Sequence, residues 1–168
     1  IMKIVVTGAL GHIGSFVIRK LPYQFPGAEI IMIDNMMTQR YSSLFNLPSS
    51  GNYKFIEMDI TTQDMRALFD DVQVVIHLAA ITDAAGSFDK VAEVEENNFQ
   101  STVKVADASL ETGVRLIALS STSVYGTQND IVDEDCPEEE LQPQSPYAKT
   151  KLKEEELIAQ LCINHSLK

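Results

Sequence analysis

The stretch Met2 to Gly14, MKIVVTGALGHIG, decides the fold. Ile4, Val5 and Val6 make a β-branched run with no polar alternation, the pattern of a strand buried on both faces of a parallel sheet. The run ends in Gly8, Gly11 and Gly14, spaced G-x-x-G-x-x-G, and a helix opens among them. A backbone without Cβ atoms can approach a pyrophosphate closely, and the free N–H groups and positive dipole end of a helix beginning near His12 then hold the anion. Strand, tight turn and helix together make a phosphate cradle.

Working outward, the first helix spans Ile13 to Leu21, is stopped by Pro22, and returns through Gly27 to a second apolar strand, EIIMI at Glu29 to Ile33. Asp34 ends that strand at the distance from Gly14 where a carboxylate accepts hydrogen bonds from an adenosine ribose, so the cradle reads as a dinucleotide site. Residues 36–52 are a polar connection with one helical turn near Ser42 to Phe45. A third strand, Lys54 to Met58, ends at Asp59, and Thr61 or Thr62 caps a helix to about Phe69. Val72 to Leu78 is a fourth buried strand, closing on Ala79 and Ala80, whose small side chains let a flat ligand lie against the strand end. Phe88 to Asn97 and Asn98 to Thr112 read as helical, the second capped by Gly113, and Arg115 to Leu119 is a fifth strand. Strands alternating with helices, joined by right-handed crossovers, predict an α/β fold. It is a doubly wound, Rossmann-type parallel sheet in the order 3-2-1-4-5, with ligands at the carboxyl ends of its strands.

The 168 residues are one domain's worth of chain. No apolar run approaches the roughly twenty residues of a membrane span, and no basic leader precedes a hydrophobic segment, so a cytoplasmic protein without membrane contact is expected. Cys136 and Cys162 have no metal-site or disulfide-framework spacing and read as free thiols; no metal is expected. A formal charge of −11 without a basic stripe argues against nucleic acid as a partner. Seven of the eleven residues from Asp130 to Glu140 are acidic, which reads as a solvated loop.

The last segment opens on Ser145 as N-cap and Pro146 in the first turn, and runs as an amphipathic helix to about Leu161. Tyr147 and Lys151, four residues apart, share one face near its start. An ammonium beside a phenol favours the phenolate, which suits a general acid/base working near neutral pH.

TGALGHIG, Asp34, HLAA at His77 to Ala80, Asn98, SSTSVYG at Ser120 to Gly126 and YAKTK at Tyr147 to Lys151 resemble one family in order and spacing. The chain is similar, over nearly its whole length, to the extended short-chain dehydrogenases/reductases, the nucleotide-sugar epimerases and dehydratases. The resemblance implies that Tyr147 is the catalytic base, that Lys151 binds the nicotinamide ribose while lowering the tyrosine pKa, and that Ser121 hydrogen-bonds the substrate oxygen. It assigns Gly8, Gly11, His12, Ile13 and Gly14 to the pyrophosphate of NAD, Asp34 and Asn35 to the adenosine ribose, and Asp59 and Ile60 to the adenine. Leu78, Ala79 and Ala80 go to the middle of the cofactor, and Asn98 to the region of the fourth strand. The Asp34 carboxylate would repel a 2′-phosphate, which favours NAD over NADP, with Arg40 the one residue that speaks for NADP. The resemblance also implies a homodimer joined through the helices after Asn98 and Pro146.

Two departures from the family pattern sharpen the expected activity. Dehydratases of the family carry acidic residues just after the catalytic Ser or Thr, where this chain has Thr122 and Ser123. Elimination needs a proton donor and acceptor beyond the tyrosine, so a 4-epimerase that oxidises and re-reduces a nucleotide sugar fits best. Keto-sugar or carbonyl reduction, dehydration, and a catalytically idle NAD sensor are the alternatives. The chain also stops at Lys168, where relatives continue into a smaller sugar-binding lobe. Residues 1–168 are therefore expected to be an NAD-binding domain that lacks the C-terminal substrate lobe and forms the N-terminal part of a longer protein.

Overall fold

The computed structural model describes residues 1–82, 91–128 and 131–168. Five parallel strands, β1 (Lys3–Thr7), β2 (Glu29–Asp34), β3 (Asn52–Glu57), β4 (Val74–His77) and β5 (Arg115–Ala118), pair in the order β3-β2-β1-β4-β5. This is the predicted sheet. Side chains alternate across the pleat, so β1 and β2 feed two cores. Ile4, Val6, Ile30 and Met32 pack under α1 (His12–Gln24) with Ile18 and Leu21, while Val5, Ile31 and Ile33 face the opposite layer with Met65, Phe69 and Val105. Burial on both faces explains why these strands show no polar alternation.

Several boundaries differ from the sequence expectation, each for a local reason. Helix α1 runs through Pro22 to Gln24. A proline removes the N–H that would bond the carbonyl four residues earlier, but here the Tyr53 hydroxyl donates to Ile18 O at 3.0 Å and takes that place. The helix expected from Thr61 or Thr62 is a single turn, α2 (Arg66–Phe69), because Asp59 instead folds the chain into a tight turn by accepting from the Thr61 N–H and hydroxyl. Phe88 to Lys90 lie outside the described residues. Beyond them α3 (Val91–Val94), a π turn (Glu95–Phe99) and α4 (Gln100–Thr112) run on without a break, and Gly113 caps α4 with a φ of 70°. Helix α5 (Pro146–His165) has Ser145 as N-cap, its Oγ accepting from Ala148 N at 3.1 Å. It passes Leu161 because neither glycine nor proline stops it, and ends at Ser166 with a φ of 60°. Of the acidic stretch, residues 131–140 form an irregular, largely exposed loop, as expected; Asp130 lies outside the described residues.

Candidate active site

At the end of β1 the chain turns through Gly8, whose φ of 61° is left-handed and whose missing Cβ would stand 2.7 Å from Ala79 Cα. A Cβ on Gly14 would overlap the Gly8 carbonyl, so Gly14 lets α1 start directly against the turn. Gly11 is the N-cap of α1 and contributes no side-chain cap, and no acidic residue stands in the first turn. The leading N–H groups near His12 and Ile13 are thus left for an acceptor from outside the helix. Such a cradle, floored by glycine and closed by an uncapped helix end, fits the pyrophosphate of a dinucleotide.

Next to it, at the end of β2, the Asp34 carboxylate accepts from Leu10 N at 3.1 Å and Met36 N at 3.0 Å. These bonds fix its position and leave further lone pairs for another donor. Asn35 Oδ1 accepts from Met37 N, and the Asn35 side chain also reaches Asp59 at the end of β3. The Thr61 hydroxyl, with that asparagine among the smaller contributors, holds the Asp59 carboxyl below its ordinary value. Ile60 turns its side chain into the core.

On the other side of the cradle, Leu78, Ala79 and Ala80 follow β4. Thr7 Oγ1, fully buried, accepts from Leu78 N at 3.2 Å and Ala79 N at 3.3 Å and lies 2.7 Å from His77 Nδ1. A hydroxyl that already accepts two N–H groups gives its proton to Nδ1. This assigns the proton of a neutral His77 to Nε2, which donates to Thr102 Oγ1 at 3.1 Å. Burial, helped by the Lys151 charge, pushes the His77 pKa down to about 3. Asn98, inside the π turn, accepts from Ile81 N at 2.7 Å and donates to Ile81 O at 2.9 Å. Its amide is used to pin the segment after β4, so it supports that wall of the site.

Past β5, Ser121 caps a short 3₁₀ turn (Thr122–Tyr125), with its Oγ 2.8 Å from Ser123 Oγ. Tyr147 and Lys151 come from the first turns of α5. Lys151 is buried and donates to Leu119 O at 3.2 Å and to Glu154 Oε2 at 2.8 Å. Half-burial, followed by the Glu154 charge, holds the Tyr147 phenol above its ordinary value, while the neighbouring Ser121 hydroxyl pulls it down. The phenol is thus held up rather than lowered as expected from Lys151, whose ammonium is bonded to Leu119 O and Glu154. Gly8, Asp34, Asp59 and Leu78 to Ala80 stand at or just past the carboxyl ends of β1 to β4 and Ser121 past that of β5, while Asn98 is in the π turn and Tyr147 and Lys151 are on α5. Thr7, Thr102 and Glu154, which bond to the segment after β4, to His77 and to Lys151, were not singled out. A threonine ending a strand and a glutamate within an acidic run look ordinary until the chain is folded.

Residues 4–168 match the NAD-dependent epimerase/dehydratase family, and the chain belongs to that family. The chain is 32% identical over 156 residues to a UDP-glucose 4-epimerase of Mycolicibacterium smegmatis, which covers 90% of this chain and 48% of that enzyme. It is 32% identical over 165 residues to a trifunctional UDP-glucose 4,6-dehydratase, 3,5-epimerase and reductase of Arabidopsis thaliana, covering 93% of this chain and 24% of that one. Among solved structures, a UDP-glucuronic acid 4-epimerase from Bacillus cereus in complex with NAD matches 99% of this chain and 54% of its own, at 31% identity and a TM-score of 0.89. A UDP-N-acetylglucosamine 4-epimerase from Methanobrevibacter ruminantium matches with a TM-score of 0.88 at 28% identity, over 99% of this chain and 52% of its own. The chain thus spans about half the length of these epimerases and a quarter of the plant enzyme.

Proposed function

We propose that residues 1–168 are the NAD-binding domain of a nucleotide-sugar 4-epimerase. The reading rests on the Ser121 hydroxyl standing beside the Tyr147 phenol, in a chain whose glycine turn leaves an uncapped helix end for a pyrophosphate. Bound NAD would supply a hydride acceptor that returns the hydride. In the chain itself, Ser121 orients a sugar hydroxyl and Tyr147, as phenolate, removes its proton and gives it back after the ketone is reduced on its other face. Gly8, Gly11, His12, Ile13 and Gly14 hold the pyrophosphate through backbone N–H groups, Asp34 and Asn35 take the adenosine ribose, and Asp59 with Ile60 borders the adenine. Asp34 favours NAD over NADP, since its carboxylate repels a 2′-phosphate.

The relatives include a dehydratase, but the turn after Ser121 carries Thr122 and Ser123 where elimination requires carboxyl groups, which supports epimerisation. The same reading makes the protein a cytoplasmic homodimer paired through α4 and α5, testable by light scattering. The decisive experiment is to purify the intact protein, ask by calorimetry whether it prefers NAD to NADP, and follow interconversion of UDP-sugars epimeric at C4. Tyr147→Phe should retain NAD while turnover falls by about two to four powers of ten. Retention of most of the activity would defeat the epimerase reading.

A further inference from the structure

Glu154 is an unusual neighbour for a catalytic lysine. Its side chain is only 6% exposed, one carboxylate oxygen is 2.8 Å from Lys151 Nζ, and the other, Oε1, is buried without a hydrogen-bond partner among the described residues. A buried carboxylate with a bare oxygen is costly as an ion. Burial accordingly raises its pKa, against the pull of Lys151 and the Thr102 hydroxyl. The groups that face it are Lys151, Glu155 and Tyr147 on its own helix, Thr102 on α4 and, behind Thr102, the neutral His77 of β4. Glu95 of the π turn is taken up by Lys153 on the outer face of α5, 2.7 Å away, so it does not enter the pocket.

We propose that Glu154 is a positioning residue for the catalytic pair: as a carboxylate it holds the Lys151 ammonium against itself and the Leu119 carbonyl, and on protonation it frees Lys151 to serve Tyr147. This deepens the epimerase reading and rests on it. Lys151 has three donors, and two are spent on Leu119 and Glu154. The ammonium is therefore tethered to the Leu119 carbonyl and Glu154, and the carboxylate charge also opposes ionisation of Tyr147. Thr102 connects the pair to His77 and thus to Thr7 and the segment after β4, so the two halves of the site share one buried polar chain.

The test uses the intact, NAD-loaded protein with Glu154→Gln, which removes the charge and keeps the shape, and Glu154→Asp, which keeps the charge. Ionisation of Tyr147 is read without turnover, from the pH-dependent phenolate absorbance that Tyr147→Phe abolishes, and alongside it from the acid limb of kcat/KM. Seven helical residues separate the two groups by about 10 Å, and at an effective dielectric of about 20 a charge at that distance displaces a titration by about one unit. Glu154→Gln should therefore move both the phenolate titration and the acid limb down by about one pH unit, with Glu154→Asp staying near the parent. Coincident titrations of the parent and Glu154→Gln, or a Glu154→Asp that behaves like Glu154→Gln, would overturn the proposal. If Glu154→Gln does not fold, pH-difference infrared spectra of the parent must show one carboxyl protonating above the ordinary glutamate range, with the Tyr147 near-ultraviolet band responding at the same pH. Absence of that carboxyl overturns it equally. Loss of the epimerase reading is a separate result: it shows as Tyr147→Phe keeping its turnover, and the phenolate titration still decides on Glu154.

Discussion

Thr7 offers the most direct measure of how the site is held. Thr7→Val is isosteric and leaves no cavity, so its effect isolates the hydroxyl. In the folded protein that hydroxyl is the acceptor for Ala79 N, a second acceptor for Leu78 N, which also bonds Thr7 O at 3.1 Å, and the donor to His77 Nδ1. Replacement strands the buried His77 Nδ1 at about 1–3 kcal/mol and the part-buried Ala79 N, which water can partly satisfy, at less, so the loss is about 1–4 kcal/mol. A domain stable by about 5–15 kcal/mol feels such a loss strongly. Urea unfolding with a fitted midpoint is the assay, and a fall in Tm of about 2–4 °C per kcal/mol should accompany it. Thr7→Ser keeps the hydroxyl and loses only a methyl, so it should be clearly the milder variant. NAD affinity should weaken in Thr7→Val as well, because Ala79 N lies at the strand end against Gly8. A Thr7→Val protein within about 0.5 kcal/mol of the parent, or one more stable than Thr7→Ser, would refute the reasoning, since apolar burial alone would then govern the position.

Tyr53→Phe should cost about 1 kcal/mol in the parent by orphaning Ile18 O, and much less in a Pro22→Ala background, where a restored N–H can reach the same carbonyl; a double-mutant cycle in urea reads the coupling, and additive effects would contradict it. His77 predicts a pH dependence of stability. Its folded pKa of about 3 lies below the ordinary 6.5, so the unfolded chain binds a proton that the folded one refuses. The stability it preserves is complete above about pH 6.5 and is lost as pH falls toward 3, at up to about 1.4 kcal/mol per unit. The difference in stability between the parent and His77→Gln should carry that slope, and a difference flat with pH would exclude it. Ser121→Ala should lower turnover less than Tyr147→Phe, because it removes an orienting hydrogen bond and leaves the base in place; steady-state kinetics of the two variants side by side settles the order.

Much of this was legible in the sequence because it depends on short-range rules. A β-branched run followed by spaced glycines favours a buried strand, a tight turn and a helix, and the alternation of such units makes the sheet parallel and doubly wound. Gly8 and Asp34 follow from the glycine spacing after a strand, and Tyr147 with Lys151 from helical spacing, whereas Ser121 was indicated only by the family resemblance. The elements whose lengths were misjudged were decided by partners far away in the chain. Pro22 ends a helix in isolation, yet α1 continues because Tyr53, 31 residues on, supplies the missing hydrogen bond to Ile18.

Glu154 marks the same boundary at the site. In sequence it is the first of three consecutive glutamates, a run that reads as a solvated helix face. Helical geometry rotates neighbouring positions by about 100°, so only the fold decides which of the three turns inward. Glu154 is the one that does, into a pocket built by α4, β4 and α5, where loss of water makes its charge matter to Lys151 and Tyr147. Short-range sequence rules decided the parallel sheet and its glycine turn. The direction in which Lys151 points, the protonation of His77 and the burial of Glu154 arise only when segments distant in the chain pack together and exclude water.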